Sequence, residues 1–535
     1  MPAKPEKLIK RFEALKSKRA TWEGHWQELA DFILPRKADI VTVHTPGEKR
    51  THRLFDATAI EANELLASAL HGMLTSPQAP WFELTLRDRE LAQNEGVKGW
   101  LENVAGRMTT TLNNSNFQTE IHEVYLDLGC FGTAALFIEE DEEALVRFSA
   151  RPLSEIFIAQ DRRGRIDTVF RKFPFTGRQA VQLWGEKAVG ERILKKFRDS
   201  PDEEAQILHA VFPRTDRLPG RSDGVNMPVA SIYLDIEARH VIAEGGFEEM
   251  PYTVARWTKA TGETFGRSPG MKGLADIKML NEMCKTTLKA AQKVVDPPML
   301  VADDGVMLPV RTSPASLNYA RFLADGSDPI RPLQTGGNLP IGLEMEEQRR
   351  NAIRSAFFVD QLQLVGGPRM TATEVLQRTE EKLRLLGPVL GRLHSELLRP
   401  LIDRVFAIMF RAGERPPPPL ALKGGDIDVE YVSPIAKAQR ATRAQGLLRV
   451  FEVAAPLTAA QPEMLDNIDG DAVVRELWDL FSVPSGLLRE RKAVSAIRQA
   501  RGQAAAEEAA KDDAERLVKG TATTVKVLDG AGSTA

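Results

Sequence analysis

The chain has 535 residues, 43% of them apolar and 27% charged, with a formal net charge of −3. That length exceeds the roughly 250–300 residues at which a single core stops growing, so more than one domain is expected. The near-neutral balance excludes a broad basic surface for gripping nucleic acid, and only two cysteines, Cys130 and Cys284, exclude a disulfide framework and fit a reducing compartment.

Met1–Arg11 is polar and lysine-rich with no apolar segment behind it, unlike a secretory leader, and no apolar run approaches the ~18 residues of a membrane span. Residues 6–34 read as a helix: Trp22, Trp26, Leu29 and Ile33 form one apolar stripe at helical period, and Pro35 ends it. After a polar loop from Arg36 to Arg53, Asp56 is placed to cap a helix carrying Ile60, Leu66, Leu70 and Leu74. Residues 97–129 give two more helical stretches, broken near Asn113-Asn114. Segments 134–139, 144–149, 155–160 and 166–173, then 205–213, 229–236 and 252–258, are rich in β-branched and aromatic residues and read as strands. Helices before and between them make this half an α+β region.

In the second half, 271–295 reads as a helix ended by Asp296-Pro297-Pro298. Residues 296–340 are rich in Pro, Gly, Asp and Ser, with strand-like pieces such as Pro298–Ala302, and 341–358 is helical again. A glycine-containing loop, Val359–Arg369, precedes the most periodic segment, Thr371–Arg411, whose apolar residues from Leu376 to Ile408 hold one stripe. Gly387-Pro388 is the expected bend in that helix, because proline lacks the N–H and crowds the preceding turn; Pro400 lies further on. Four prolines after Arg415 make a stiff linker. Asp426–Val432 is a candidate strand, 441–500 is helical, and Gly520–Ala535 is an aperiodic tail expected to be disordered.

No enzyme motif holds up chemically. Gly266-Arg267-Ser268-Pro269-Gly270 spells the G-x-S-x-G nucleophile elbow, yet that elbow needs the N–H after the serine for its oxyanion hole, and a proline stands there. Pro269 reads instead as near the first position of a helix. The P-loop sequence is absent, and Gly366-Gly367-Pro368-Arg369 lacks the lysine and Ser/Thr of a phosphate cradle, so it reads as a hinge. The eight histidines include no H-E-x-x-H. The run Glu139–Glu143 reads as a solvated turn, Asp466–Asp471 lacks the closing glutamate of a calcium loop, and both cysteines read as buried thiols. No cofactor, metal or catalytic role is expected.

Several stretches carry a resemblance: Trp26-Gln-Glu-Leu-Ala-Asp-Phe-Ile-Leu-Pro35, Asp56-Ala-Thr-Ala, Leu70-His-Gly-Met-Leu-Thr-Ser-Pro77, Pro251-Tyr-Thr-Val-Ala-Arg-Trp257, Gly262-Glu-Thr-Phe-Gly-Arg-Ser-Pro269, Asp296-Pro-Pro-Met299, Met370-Thr-Ala-Thr-Glu-Val375 and Glu430-Tyr-Val-Ser-Pro434. In order and spacing, over most of the chain, they resemble the head-to-tail connector (portal) proteins of podovirus-type phages.

The resemblance implies a homo-oligomeric ring of about twelve copies at one capsid vertex, closed by a heterologous interface. It implies an α+β subunit with an α/β wing (1–270), a first stem helix (271–295), a small α/β clip (296–340), a second stem helix (341–358), a tunnel loop (359–370), a long kinked helix returning to the wing (371–440), a helical crown (441–519) and a disordered tail (520–535). The implied partners are double-stranded DNA passing through, terminase, capsid and scaffold proteins, and tail or adaptor proteins, in a virion assembled in the host cytoplasm. Gln361, Gln363 and Arg369 are the polar residues of the implied tunnel loop, with Gly366 and Gly367 as its hinge and Gly387-Pro388 as the helix kink. Lys285, Lys289 and Lys293 recur at i, i+4 and i+8 and share one helix face; they read either as a solvated exterior or as rings of charge lining the channel. Two alternatives stand beside this reading. One is another head–tail junction ring such as an adaptor; the other is a terminase-type enzyme, which would need the missing P-loop or a two-metal carboxylate cluster.

Overall fold

The computed structural model describes residues 4–301, 309–311, 319, 330–332, 339–362, 386–414, 416–419, 422, 429–432, 444–454, 468–481, 487–489 and 491–531, apart from positions 46, 79, 87, 89, 90, 92, 93, 219 and 222. The chain falls into two compact units, residues 1–81 with 106–415 and residues 82–105 with 416–535.

The first unit opens with α1 (Pro5–Ile33), which has proline at its start and stops ahead of Pro35. Arg19 of α1 is buried, and its guanidinium donates to the carbonyls of Leu153 (3.0 Å), Ser154 (2.9 Å) and Ile156 (2.7 Å), so one cation satisfies a whole turn. Helix α2 (Thr58–Leu74) has Ala57 at its N-cap position, and Asp56, expected from the sequence as the cap, stands one residue further out, where its Oδ1 accepts from the Thr58 N–H at 2.8 Å. The next helix ends at Asn114, and α3 (Phe117–Phe131) follows. The break falls at Ser115-Asn116 rather than at Asn113-Asn114 because Asn116 bonds both the N–H and the carbonyl of Phe148 in a neighbouring strand. Gly132, at φ +76°, turns the chain out of α3; a Cβ there would lie 2.6 Å from the Arg267 carbonyl carbon, so no other residue fits.

The strands are β1 (Thr133–Asp141), β2 (Leu145–Arg151), β3 (Ile156–Gln160), β4 (Ile166–Thr176), β5 (Glu204–Pro213), β6 (Val229–Asp235), β7 (His240–Phe247) and β8 (Tyr252–Arg256). They form a three-stranded sheet ordered β2-β1-β8 and a five-stranded sheet ordered β3-β4-β5-β6-β7, with every pairing antiparallel. Successive side chains of a strand point to opposite faces, and both faces of the larger sheet are covered. Phe157, Phe170, Leu208, Ala210, Ile232 and Leu234 pack with Leu8, Phe12 and Leu15 of α1. Phe173, Ala205, Ile207 and Ile242 pack with Ala180 and Ile193, which belong to α4 (Gly177–Trp184) and α5 (Glu191–Asp199). Double coverage explains why β5 is buried almost without interruption instead of alternating. The acidic run reads as a turn in the sequence, but Glu139, Glu140 and Asp141 belong to β1 and pair with Arg147, Val146 and Leu145 of β2, and the turn itself is Glu142–Ala144.

Helix α6 (Pro269–Val295) leads out of the sheets, and a short ladder of β9 (Met299–Val301) with β10 (Ile330–Pro332) precedes α7 (Leu339–Ala356). Residues 386–393 are helical, His394–Leu398 form a π-turn, and α8 (Arg399–Arg411) completes the unit. Gly387 and Pro388 lie in the first described helical turn. The local irregularity among the described residues is the π-turn, where the Arg399 N–H bonds His394 O immediately before Pro400. A wider turn there accommodates a residue that cannot donate to the carbonyl four positions back.

In the second unit, the strand Glu83–Leu86 pairs antiparallel with Val429–Val432, and the Trp100 indole N–H donates to Pro416 O at 3.0 Å. Helices follow at 444–454, Gly470–Leu480 and Arg491–Ala531. Asp469 caps the second of these through bonds to the Asp471 and Ala472 N–H groups, which accounts for the aspartate cluster there. The last helix runs through Ala531, where the composition alone led to an expectation of disorder from 520. The segment holds no proline, and adding residues to an existing helix is far easier than nucleating one. No described helix is long and apolar enough to cross a membrane.

Candidate functional site

The hairpin of α6 and α7 stands out because it is half anchored and half bare. Ser268 caps α6: its Oγ accepts from the Met271 N–H (2.9 Å) and donates to Cys130 O (2.7 Å), with Pro269 next in line. The serine of the elbow-like sequence is therefore a buried helix cap, occupied on both sides and shut off from any substrate. Ser268→Ala is expected to lower stability by about 1–2 kcal/mol, read as a shift in the urea midpoint, because one cap and one buried acceptor lose their partner.

The first half of α6 is packed tightly. A Cβ on Gly270 would lie 2.7 Å from Ile33 Cδ1 and 3.1 Å from Cys130 O, so the helix meets α1 and α3 at backbone distance. Gly273, Leu274, Ile277, Leu280 and Asn281 are buried in turn. Asn281 holds the segment before α2, accepting from the Phe55 N–H (2.7 Å) and donating to Arg53 O (3.0 Å).

The two helices run antiparallel: Ala356 lies beside Gly273 and Gly342 beside Thr287. Arg349 pairs with Asp276 at 2.7 Å. Arg350 bridges Asp56 (3.1 Å) and Glu346 (3.2 Å) and reaches Cys284 Sγ at 3.5 Å. Burial pushes the Asp56 carboxyl upward, but donors from Thr58 and Arg350 outweigh it and leave the group below its ordinary value. Cys130 is fully buried, as expected, and burial holds its thiol well above the ordinary value. Cys284 is only half-buried, contrary to expectation, since it lies at the hairpin seam rather than in the core; burial and the neighbouring Glu346 and Asp56 push its thiol up to about 11.

Past Asn281 the hairpin loses its cover. Leu288, Val294 and Val295 of α6, Met299, Leu300 and Val301 of β9, and Ile341, Leu343 and Met345 of α7 are all exposed large apolar side chains. Lys285 pairs with Glu282 (3.2 Å) and lies over the Phe55 ring, while Lys289 and Lys293 are exposed beside an open groove of about 630 Å³. Among the loop residues singled out from the sequence, Gln361 lies in a single helical turn, Val359–Leu362, with its N–H on Phe358 O at 3.1 Å. Gln363, Gly366, Gly367 and Arg369 lie outside the described residues.

Sequence reasoning missed a buried clamp below the hairpin. Arg256 at the end of β8 is 1% exposed, and its fork takes both oxygens of Glu396 in the π-turn (2.7 and 3.0 Å) as well as Gly164 O and Thr264 O. The partners are 140 residues apart, and no local pattern links them.

These features define an α+β chain with an antiparallel helical hairpin that bears exposed large apolar side chains. The family model for the bacteriophage head to tail connecting protein matches residues 5–488. The chain is 33% identical over 512 residues to a probable portal protein of Bordetella phage BPP-1, covering 94% of this chain and 92% of that protein. It is 32% identical over 509 residues to the portal protein of Salmonella phage epsilon15, covering 94% and 91%. The portal protein of Escherichia phage T7 matches at 22% identity, covering 76% and 74%. The chain belongs to the bacteriophage head to tail connecting protein family.

Proposed function

We infer that this chain is the portal subunit of its phage: a non-enzymatic connector that assembles into a ring at one capsid vertex and passes double-stranded DNA. The observation that carries this reading is alignment over 94% of the chain with proteins named as portals. The uncovered hairpin supports it physically. Apolar side chains at nine positions from Leu288 to Met345 stay exposed in the single subunit, and a heterologous interface that repeats round a closed ring covers such a surface on every copy. In this assignment α6 and α7 are the stem, the β9–β10 segment is the clip, the two sheets with their helices are the wing, and the helices after 441 are the crown. Terminase docks during packaging and the tail or adaptor afterwards; the subunit number is about twelve, by the family resemblance.

The loop between α7 and the long helix is the proposed DNA contact, with Gln361 and Gln363 touching phosphates weakly and Arg369 at its base. The test has two stages. Light scattering of the purified chain should give a mass many times the 59.3 kDa of one subunit; a monomer under all salt conditions refutes the ring. Arg369→Ala and Gly367→Pro should then leave rings intact but reduce nuclease-protected DNA in assembled heads, the proline more strongly because it stiffens the hinge. Normal filling by both variants removes this loop from the DNA path.

A further inference from the structure

We propose that the lysine face of α6 is a contact between copies of this chain, docking on the outward face of α7 in the next subunit, with Lys285 opposite Glu344. The proposal rests on the ring reading above and adds the partner of this face.

The hairpin itself sets the geometry. At 100° per residue, Gly273, Asp276, Cys284 and Thr287 lie on the side of α6 that meets α7. Lys278, Lys285, Lys289 and Lys293 occupy a sector roughly 80° wide on the opposite side. On α7, Glu346, Arg349 and Arg350 turn toward α6 and its surroundings. Glu344, Glu347 and Asn351 fall on the far side, and Glu344 and Glu347 are exposed. The outward side of α6 is net basic, four lysines with Glu282, where Lys285 pairs with Glu282 and Lys278 with Glu28 of α1; on the outward side of α7, Glu347 is held by Arg350 and Arg354, and Glu344 is the carboxylate left to meet a neighbouring copy.

That arrangement discriminates between modes of association. A two-fold pairing through α6 would set lysines against lysines. A head-to-tail repeat sets the four lysines of each copy toward Glu344 of the next, and the remaining like-charge approach is that of Glu282, whose carboxylate is already held by Lys285. A pure rotation about an axis along the hairpin also preserves height. Antiparallel register, with Gly342 beside Thr287 and Ala356 beside Gly273, puts Glu344 level with Lys285. Lys289 is one turn further on and within reach of the same carboxylate.

The surroundings favour protein over phosphate. Met279 and Leu288 flank the lysines, and Ile341, Leu343 and Met345 flank Glu344, all of them exposed. Large apolar side chains bordering a few charges are the composition of a protein–protein interface; a surface that tracks a phosphate backbone is lined by cations and polar donors.

The test uses the full chain and its own assembly. Lys285→Glu with Lys289→Glu should raise the protein concentration for half-assembly about tenfold in light scattering, and Glu344→Lys should do the same. Combining all three should return assembly to within about threefold of the parent, because the charges are exchanged rather than lost. The neutral pair Lys285→Gln with Lys289→Gln should fall between, and a salt titration should narrow the differences. Circular dichroism of each variant at the parent's amplitude establishes that the fold is intact, as expected where Lys289 and Glu344 are exposed and Lys285 is half-buried at the helix surface. Unchanged assembly in both charge-reversal variants, or no rescue in the combination, overturns the contact while the ring stands. Rings at normal yield with reduced DNA protection overturn it in favour of a channel role for these lysines. A parent chain that stays monomeric refutes the ring reading and this contact together, and that result is visible before any variant is made.

Discussion

Arg256→Ala is expected to destabilise the first unit by about 3–5 kcal/mol, the cost of leaving one member of a buried ion pair without its partner. The guanidinium at the end of β8 makes five hydrogen bonds: two to Glu396, one each to Gly164 O and Thr264 O, and one to Gln160 Oε1. Truncation orphans two carbonyls and strips the carboxylate down to its bond with Arg392 at 3.2 Å, a pair within one helix and a third exposed. Arg256→Lys is expected to recover less than half of the loss, since an ammonium cannot present two parallel N–H bonds to one carboxylate. Urea unfolding of the purified chain checks both values; a shift below about 1 kcal/mol for the alanine variant would show that the pair is not an anchor. The consequence reaches beyond stability. Arg256 lies just ahead of the Thr258↔Arg267 bridge that leads into α6, and Glu396 sits inside the π-turn ahead of α8. Loss of the clamp frees the base of the hairpin from the helix that follows the proposed DNA loop, so assembled rings of the variant should package less DNA even where they form.

The helices were legible because their signals are local. Trp22, Trp26, Leu29 and Ile33 mark the stripe of α1, Pro35 its end, Asp56 the approach to α2, one residue outside its cap, and Ser268-Pro269 the start of α6. The lysines on the outer face of α6 were legible for the same reason, since spacings of four define a helix face wherever the helix sits. What covers that face is a property of neighbouring chains and has no local signature. Strands were harder. β7 contains Gly245-Gly246 and reads poorly as a strand; its pairing with β6 holds it. Glu83–Leu86 is four residues long and becomes a strand only because Val429–Val432 lies beside it, far along the chain. The clamp between Arg256 and Glu396 was invisible for that reason too. The division of the chain followed suit: residues 82–105 belong with the C-terminal unit, although nothing in their composition separates them from the helices on either side. The assignment of stem, clip and crown came from family resemblance, which carries the three-dimensional order that periodicity lacks.

Acid should destabilise this protein through His209 in particular. The imidazole is buried between the two sheets, stacked on Tyr233 with ring centroids 4.0 Å apart; Nε2 lies 3.0 Å from Ser231 Oγ and Nδ1 3.4 Å from the Tyr252 hydroxyl. Burial, then the positive charges of Arg171 and Arg151, push its pKa down to about 3. The sign follows from proton counting. Below the ordinary histidine value of about 6.5 the unfolded chain binds a proton at this position and the folded chain does not, so stability is complete above that value and falls as the pH drops toward 3. Each pH step in that window costs about 1.4 kcal/mol, which gives about 2 kcal/mol at pH 5 and about 4–5 kcal/mol near pH 3. Hydroxyl partners on both ring nitrogens do not prevent this, because neither supplies the negative charge that a buried imidazolium needs. His209→Gln keeps a polar side chain of similar reach and removes the titration. Its own stability at pH 7 should be lower than the parent's, since the stacked ring is lost, but the gap between the two should close by about 2 kcal/mol between pH 7 and pH 5 in urea unfolding. A gap that stays constant over that range would mean that His209 takes up its proton inside the fold at an ordinary pH, and that the sheet interface opens to water or supplies a counter-charge at this position.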